Sequence, residues 1–208
     1  MNEDVYDSDY FLRGKQTGKS LYVDYSWKPD LTIPMVCSII RHLGILCDHT
    51  IVDFGCARGY TVRAFSEMGY VCHGVDSSKW AVENCDPTVV GNIQHGTELK
   101  SDYDWVIAKD VLEHVPNVRQ CIDQLMSRAK VGLFVVVPLS EVDGQRYVVP
   151  SYECDVTHLH RFTLTTWFDM FARPGWTVSA SYRVEGVKGN YWKPKWEKAN
   201  GFLTARRG

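Results

Sequence analysis

Three aspartates stand at or just beyond the ends of short apolar segments. Asp53 lies within Ile-Val-Asp-Phe-Gly-Cys-Ala-Arg-Gly at 51–59, Asp76 follows Val-Cys-His-Gly-Val, and Asp110 follows Trp-Val-Ile-Ala-Lys. If these segments are parallel strands, their carboxyl ends meet at the edge of the sheet where ligands of such sheets bind. A carboxylate can accept hydrogen bonds from both hydroxyls of a ribose. The pattern therefore predicts a pocket for a nucleoside cofactor.

The glycines of the same segment shape the turn after the first predicted strand. Gly55 and Gly59 let the backbone turn tightly and approach a ligand without an intervening Cβ. The helix that follows would present free N–H groups and its positive end to that ligand. Two cofactor classes use this geometry. A dinucleotide site has the spacing G-x-G-x-x-G, whereas this chain has an acid before the first glycine and a different glycine spacing.

The segment resembles the first motif of the class I S-adenosylmethionine-dependent methyltransferases, an acid followed by G-x-G-x-G, with Ala57 in place of the middle glycine. Asp76 matches the family's acid that holds the ribose hydroxyls, Gly91-Asn92-Ile93 resembles its third motif, and 103–115 resembles the fourth motif of small-molecule members. The resemblance implies a methyltransferase with S-adenosyl-L-methionine as cofactor. It also implies a Rossmann-like α/β three-layer sandwich, with a mostly parallel seven-stranded sheet and an antiparallel C-terminal edge hairpin.

The resemblance further implies which residues hold the cofactor. Asn92 would accept a hydrogen bond from the adenine amine through its amide oxygen, and Ile93 would pack against the adenine ring. The N-terminal arm, with Tyr22, Tyr25 and Trp27, would close over the cofactor. The predicted cofactor-binding residues are Asp53, Gly55, Cys56, Ala57, Gly59, Asp76, Ser77, Asn92, Ile93 and Lys109.

The chemistry expected of such a site is an in-line displacement at a sulfonium methyl group. The enzyme positions the two reactants and, where needed, removes a proton from the acceptor. Asp110 lies just beyond the fourth predicted strand, where the sulfonium and the acceptor would meet. His114 follows four residues later, on the same face if that segment is helical, and Glu113 is the alternative carboxylate.

A second group of candidate residues lies in the long segment 138–162, which has no clear periodicity. His158 is suited to deprotonate a hydroxyl, because the pKa of an imidazole is close to neutral. Asp155, His158 and His160, with Cys154 nearby, are also a conceivable metal-binding set, but loop histidines more often hydrogen-bond the backbone or a substrate. The predicted catalytic residues are therefore Asp110, His114 and His158, and no metal is predicted.

The elements that position these residues follow from hydrophobic periodicity. Strands alternating with helices predict a parallel sheet covered on both faces, and the last two strands, with no helix between them, predict the edge hairpin. We expect strands at 50–54, 70–75, 88–91, 105–108, 132–137, 177–183 and 201–206, and helices at 30–46, 60–68, 77–84, 118–129 and 163–171. The first helix would be capped by Asp30 or Thr32 with Pro34 in its first turn, and the last would be capped by Thr163. We expect one domain over 1–208, with an arm and a cap helix at 1–46, the core at 47–208 and an acceptor-site loop at 138–162.

The composition is that of an ordinary globular domain. The chain has 208 residues, 45% of them hydrophobic, and a net charge of -2, which gives no positive field to gather nucleic acid or an anionic membrane. The seven cysteines include no CxxC pair, which is typical of free thiols in a reducing compartment. No apolar run approaches the roughly 18 residues of a membrane span. We expect a cytoplasmic monomer or homodimer that acts on a small-molecule acceptor, with no nucleic-acid or membrane partner.

Two segments resemble binding motifs of other classes. The segment Gly-Lys-Gln-Thr-Gly-Lys-Ser at 14–20 has three residues between its glycines, where a phosphate-binding loop has four. The segment 191–196 interleaves aromatic and basic residues as a single-strand nucleic-acid platform would. Its two lysines give too little positive charge for such a platform, so a packed hairpin is favoured.

The leading prediction is a methyltransferase for a small-molecule or sugar-containing acceptor, with oxygen as the methylated atom. One alternative is a catalytically inactive binding module, which Ala57 and Asn92 would favour. The other is a nucleic-acid or protein methyltransferase.

Overall fold

A seven-stranded sheet with helices on both faces forms the centre of the molecule. The computed structural model describes residues 5–188 and 196–208. Its strands are β1 Thr50–Phe54, β2 Val71–Asp76, β3 Ile93–His95, β4 Tyr103–Lys109, β5 Ala129–Pro138, β6 Trp176–Ser181 and β7 Asn200–Arg207. The helices are α1 Ser8–Leu12, α2 Gly14–Thr17, α3 Pro29–Leu43, α4 Tyr60–Glu67, α5 Lys79–Glu83, α6 Val118–Arg128 and α7 Leu164–Phe171. Short 3-10 helices lie at Pro87–Asn92, Leu112–His114 and Pro150–Cys154.

The strand order is β3-β2-β1-β4-β5-β7-β6. Neighbouring strands from β3 to β5 are parallel, while β7 is antiparallel to both β5 and β6. Sequence-adjacent β1 and β2 lie side by side, and the chain then crosses from β3 to β4 on the other side of β1. This reversal of direction places the carboxyl ends of β1, β2 and β4 around one crevice, which is where open α/β sheets bind ligands. The predicted Rossmann-like fold and its antiparallel edge are confirmed.

The central strand β4 is buried on both faces. Trp105 and Ile107 pack with α3 and α4 on one side, and Val106 and Ala108 pack with α6 and α7 on the other. All four residues are fully buried. Burial on both faces explains why this strand appears in the sequence as a continuous apolar run without alternation.

Helix α3 begins earlier than the sequence suggested. Lys28 is its N-cap and Pro29 its first residue, so the prediction of Asp30 or Thr32 as the cap is wrong, and Pro34 lies inside the helix. Proline at the first helical position has its φ already set and needs no hydrogen bond for its missing N–H. At the other end of the chain, Thr163 caps α7 as predicted, with its side chain accepting from Thr166 N.

The third strand was predicted in the wrong place. The Thr-Val-Val run at 88–90 forms a 3-10 helix, and β3 begins only at Ile93. Asp86 Oδ1 accepts from the backbone N (3.0 Å) and hydroxyl (2.6 Å) of Thr88, and Pro87 fixes the first residue of the turn. This cap overrides the strand propensity of the β-branched residues, and it moves the carboxyl end of the strand to His95.

The segment 138–162 is ordered by packing against the end of the sheet. Ser140 and Tyr147 form an isolated bridge, and Tyr147, Val149 and Tyr152 are buried together with Ala199. The Tyr147 hydroxyl donates to His160 O at 2.7 Å. The interleaved aromatic and basic segment at 191–196 lies, apart from Trp196, outside the described residues.

The N-terminal arm lies across the carboxyl edge of the sheet. Tyr10 and Phe11 are buried against Ala81 and Trp80, and Lys19 Nζ pairs with Asp7 at 2.6 Å. The segment 14–20 folds as helix α2 followed by a turn. None of the helices in the described parts of the chain has the length and hydrophobicity needed to cross a bilayer.

Candidate active site

A cavity of about 400 Å³ lies at the carboxyl edge of the sheet, between the strand ends and the N-terminal arm. Strand ends and the glycine turn form its floor, the 3-10 helix Leu112–His114 and the loop 138–162 form one wall, and arm tyrosines form its roof. Of the predicted site residues, the cavity is lined by Asp53, Gly55, Cys56, Ala57, Asp76, Ser77, Lys109, Asp110, His114 and His158.

The turn after β1 is held by backbone conformation. Gly55 has φ 79°, and a Cβ on it would lie 2.2 Å from Val111 Cγ2. Ala57 also adopts the left-handed conformation, with φ 48°. Such a conformation costs an L-residue roughly 1–2 kcal/mol, and here the Ala57 N–H donates to Asp76 Oδ2 at 2.7 Å. The alanine in place of the motif's middle glycine therefore keeps the turn.

Asp76 connects the glycine turn to the next helix. Its Oδ2 accepts from Ala57 N and its Oδ1 accepts from Ser78 N, both at 2.7 Å. Burial raises the pKa of Asp76 above its ordinary value, against the lowering effect of these two backbone hydrogen bonds. Each carboxylate oxygen keeps a second lone pair. Asp76 can therefore organise the turn and still accept ribose hydroxyls.

Asp53 lies at the floor of the cavity and is 4% exposed. Burial raises its pKa to about 7, although the nearby Lys109 ammonium opposes the shift. The neighbouring Asp76 raises it further. Asp53 is therefore poised between its neutral and ionised forms, and a cation entering the cavity would favour the carboxylate.

Asp110 is the centre of an ion-pair network. Lys188 Nζ lies 2.6 and 2.7 Å from its two carboxylate oxygens, and Lys109 Nζ lies 2.6 Å from Oδ2. Burial alone would raise the pKa of Asp110, but the two ammonium groups hold it below its ordinary value. A carboxylate held ionised in this way is a weak base, so its position fits anchoring better than proton removal. Lys188 gives no signal in the sequence, because it reaches Asp110 from a distant loop.

Two imidazoles and a carboxyl group meet beside this network. The ring centroids of His114 and His158 are 4.7 Å apart, and His114 Nε2 lies 3.9 Å from Glu113 Oε1. Burial lowers the pKa of His114 to about 4, with a further contribution from His158, and burial lowers the pKa of His158 as well. Burial and the charge of Asp110 raise the pKa of Glu113 well above its usual range. At neutral pH both imidazoles are therefore uncharged.

Three of the predicted cofactor residues lie outside the cavity lining. Asn92 and Ile93 are at the amino end of β3, whereas Gly96 and Thr97, just past its carboxyl end, line the cavity. The prediction that Asn92 and Ile93 form the third motif is therefore corrected. It was misplaced because the 3-10 helix Pro87–Asn92 shifts β3 along the chain. Gly59 is required by packing, since it has φ 78° and a Cβ on it would lie 2.1 Å from Ile93 Cδ1.

The arm and the histidine segment also differ in part from expectation. Tyr22 and Tyr25 line the cavity together with Tyr6 and Tyr10. Trp27 instead packs against Arg63, whose guanidinium carbon lies 4.3 Å from the centroid of the Trp27 ring. His160 Nε2 lies 2.7 Å from Val115 O, and its ring stacks on that of Phe162. The conceivable metal set of Asp155, His158 and His160 is therefore not assembled.

Comparisons with known proteins agree with this geometry. Residues 34–181 match the family model of the methyltransferase domain. A curated relative, the mitochondrial ubiquinone biosynthesis O-methyltransferase of Schizosaccharomyces pombe, is 26% identical over 110 residues, which are 47% of this chain and 40% of the relative. The match thus spans less than half of that protein's length.

Solved structures show the same fold. The magnesium protoporphyrin IX methyltransferase of Synechocystis PCC 6803, with bound SAH, has 17% identity and a TM-score of 0.67, covering 99% of this chain and 98% of that one. The YcgJ protein of Bacillus subtilis has 16% identity and a TM-score of 0.58, covering 83% of this chain and 97% of that one. The chain belongs to the methyltransferase domain family, which confirms the predicted class of S-adenosylmethionine-dependent methyltransferases and its cofactor.

Proposed function

We propose that this protein transfers the methyl group of S-adenosylmethionine to an oxygen atom of a small-molecule acceptor. The observation that carries the proposal is one cavity that has Asp76 and the glycine turn on one side and two neutral imidazoles on the other. The curated relative that acts in ubiquinone biosynthesis is an O-methyltransferase, which supports oxygen as the acceptor atom.

The residues at the strand ends fit the cofactor. Asp76 would accept the ribose hydroxyls through its remaining lone pairs, and Gly96 and Thr97 would border the adenine. Asp53 would pair with the amino group of the methionine part, since a cation there favours its ionised form. When bound, the cofactor supplies a methyl group activated by a positively charged sulfur.

The residues on the opposite wall fit an acceptor. A hydroxyl group placed beside His158 or His114 can donate a hydrogen bond to an imidazole nitrogen, because each buried imidazole is neutral at physiological pH. The arm tyrosines would cover the reacting groups. An inactive binding module is the weaker alternative, since Ala57, on which it partly depended, keeps the turn.

Calorimetric titration tests the cofactor half of this proposal. We expect S-adenosylmethionine to bind, and Asp76→Ala to weaken binding by at least about tenfold, the equivalent of about 1.4 kcal/mol. Asp102→Ala is the matched control, because this exposed acid pairs with Arg128 at 3.1 Å and does not line the cavity. Unchanged binding in Asp76→Ala would remove the assignment of Asp76 to the ribose.

The remaining parts of the proposal concern the whole protein. We propose one methyltransferase domain over 1–208, in a cytoplasmic monomer or homodimer without nucleic-acid or membrane partners. Contacts between arm and core, and seven cysteines that are all free thiols, support it. Light scattering and cell fractionation measure these properties directly.

A further inference from the structure

Glu113, His114 and His158 converge on one point of the cavity wall. Each offers one ligand atom, and the three atoms lie within 4.8 Å of one another. All three side chains line the cavity. The Glu113 backbone carbonyl accepts from Leu159 N (2.8 Å) and His160 N (3.2 Å). This pairing fixes the short helix of Glu113 and His114 against the loop that carries His158.

Glu113 has an oxygen without a partner. The residue is 1% exposed, and within the described part of the chain its Oε2 makes no hydrogen bond. Buried carboxyl oxygens are nearly always paired, so an orphan on a residue that lines a cavity needs an explanation. A cation held beside it would satisfy this atom.

The hydrogen bonds of the two imidazoles leave one nitrogen of each ring unprotonated. His158 Nδ1 lies 2.9 Å from the Tyr152 carbonyl oxygen, which only accepts, so Nδ1 carries the proton. The Thr157 hydroxyl donates to Asp155 Oδ1 at 2.5 Å, and it therefore accepts from His114 Nδ1, 2.8 Å away. Both rings thus keep Nε2 as an unprotonated acceptor. Donation from the second ring nitrogen to a carbonyl or to a carboxylate-linked group is the arrangement of metal-ligating histidines.

We propose that Glu113, His114 and His158 bind a divalent transition-metal ion, with zinc as the best match, and that the ion's open position holds the acceptor hydroxyl. Two imidazole nitrogens and one carboxylate are the ligands of catalytic zinc sites, which leave the fourth position to water or substrate. This inference replaces the expectation of no metal and rests on the proposed function for the identity of the acceptor. Small side-chain rotations suffice, since ligand atoms of tetrahedral zinc are roughly 3.3 Å apart.

The surrounding charges are compatible with a bound cation. Two carboxylates lie near His114: Asp155, which is linked to it through Thr157, and Asp110. The Arg161 guanidinium lies near His158 and is paired with Glu153 at 2.9 Å. The two ammonium groups in the vicinity, Lys109 and Lys188, are both paired with Asp110. Asp110 therefore balances one of their two positive charges, and Asp155 supplies a second negative charge beside the site.

The metal would act as a Lewis acid on the acceptor. Coordination lowers the pKa of the acceptor hydroxyl, whose O–H bond breaks as its proton passes to water. The oxygen then forms a bond to the methyl carbon while the carbon–sulfur bond breaks. The electron pair of that bond stays on sulfur, which becomes a neutral thioether, and the metal keeps its oxidation state throughout.

Zinc binding by the chelator-treated full chain tests the site without any acceptor. We expect one zinc per chain by calorimetry and elemental analysis. His114→Asn and His158→Asn keep a nitrogen donor at the δ position but lack Nε2, and each should weaken zinc binding by about 100-fold or more. Cobalt(II) bound to the wild type should show the absorption of a tetrahedral site.

His160→Gln is the matched control. Its amide nitrogen can still donate to Val115 O, so we expect wild-type zinc affinity. Absence of stoichiometric zinc, or zinc binding that is indifferent to His114→Asn and His158→Asn, would overturn the site.

A parallel titration with S-adenosylmethionine separates this inference from the proposed function. Variants that lose zinc should bind the cofactor as the wild type does, which also shows that they are folded. Zinc binding without cofactor binding would contradict the methyl-transfer proposal and leave the metal site standing.

Discussion

The cofactor side and the acceptor side of the cavity are held together by different kinds of contact. On the cofactor side, the turn at 55–59 is fixed by its own backbone angles and by Asp76, nineteen residues after Ala57. On the acceptor side, His114 and His158 meet through side-chain bonds that span 43 residues or more. The first side tolerates little change of backbone, and the second depends on a network that no single segment determines.

The largest effect is expected from a methyl group in the glycine turn. Gly55→Ala would force an L-residue into φ 79° and bring its Cβ to 2.2 Å from Val111 Cγ2. We expect a loss of about 2–4 kcal/mol in the free energy of unfolding. If the turn moves instead, cofactor affinity should fall by up to about 100-fold. Urea denaturation and calorimetry measure the two quantities.

Gly91→Ala is the control for this change. A Cβ at Gly91 meets nothing within 4 Å, so stability should stay within about 0.5 kcal/mol of the wild type. Equal losses of stability in Gly55→Ala and Gly91→Ala would contradict a cofactor side that is fixed by the backbone angles of the turn.

Acid should weaken the acceptor side through its histidines. Burial holds the pKa of His114 near 4, whereas an unfolded histidine titrates near 6.5. As the pH falls from 7 to 5, the unfolded state binds a proton that the folded state does not, so folding loses about 2 kcal/mol. His114→Asn should lack this contribution. Urea unfolding at both pH values, in chelator, compares the two proteins, and parallel pH dependence would count against a neutral buried His114.

The hydroxyl of Tyr10 connects the arm to the acceptor side. It donates to Asp155 Oδ2 at 2.8 Å, and both residues are buried. Tyr10→Phe should therefore cost about 1–2 kcal/mol and make the arm easier to cleave by limited proteolysis. Tyr182→Phe, at an exposed position, should change neither property. An arm that is equally resistant in both variants would show that this bond does not hold it.

The smallest effect is expected at a helix cap remote from the cofactor. Thr163→Ala removes the side-chain oxygen that accepts from Thr166 N at 3.2 Å, which should cost about 1 kcal/mol. Cofactor affinity should be unchanged, and Thr163→Ser should restore the stability. A change in cofactor binding here would mean that this cap is coupled to the cofactor side.

Local signals explain what the sequence predicts well. The strand 50–54 has its predicted bounds because an apolar run ends in a glycine turn. Asp76 lies at the end of the next strand, which the apolar run before it predicts. The strand at 88–91 was misassigned because Pro87 and the Asp86 cap outweigh strand propensity.

Long-range contacts explain what the sequence misses. The pairing of Asp110 with Lys188 and the approach of His158 to His114 depend on how distant loops return to the sheet. Neither leaves a periodic or spaced pattern in the chain. The residues that line the cavity were therefore largely predictable, while the contacts between distant ones were not.

Asp155 serves two groups at once, since one oxygen accepts from Tyr10 of the arm and the other from Thr157, which orients His114. Any opening of the arm to admit the cofactor removes one of these partners and loosens the other. The acceptor site would thus be complete only when the arm is closed. In steady-state kinetics, this coupling favours a compulsory order. The cofactor binds before the acceptor, and the demethylated cofactor leaves after the methylated product.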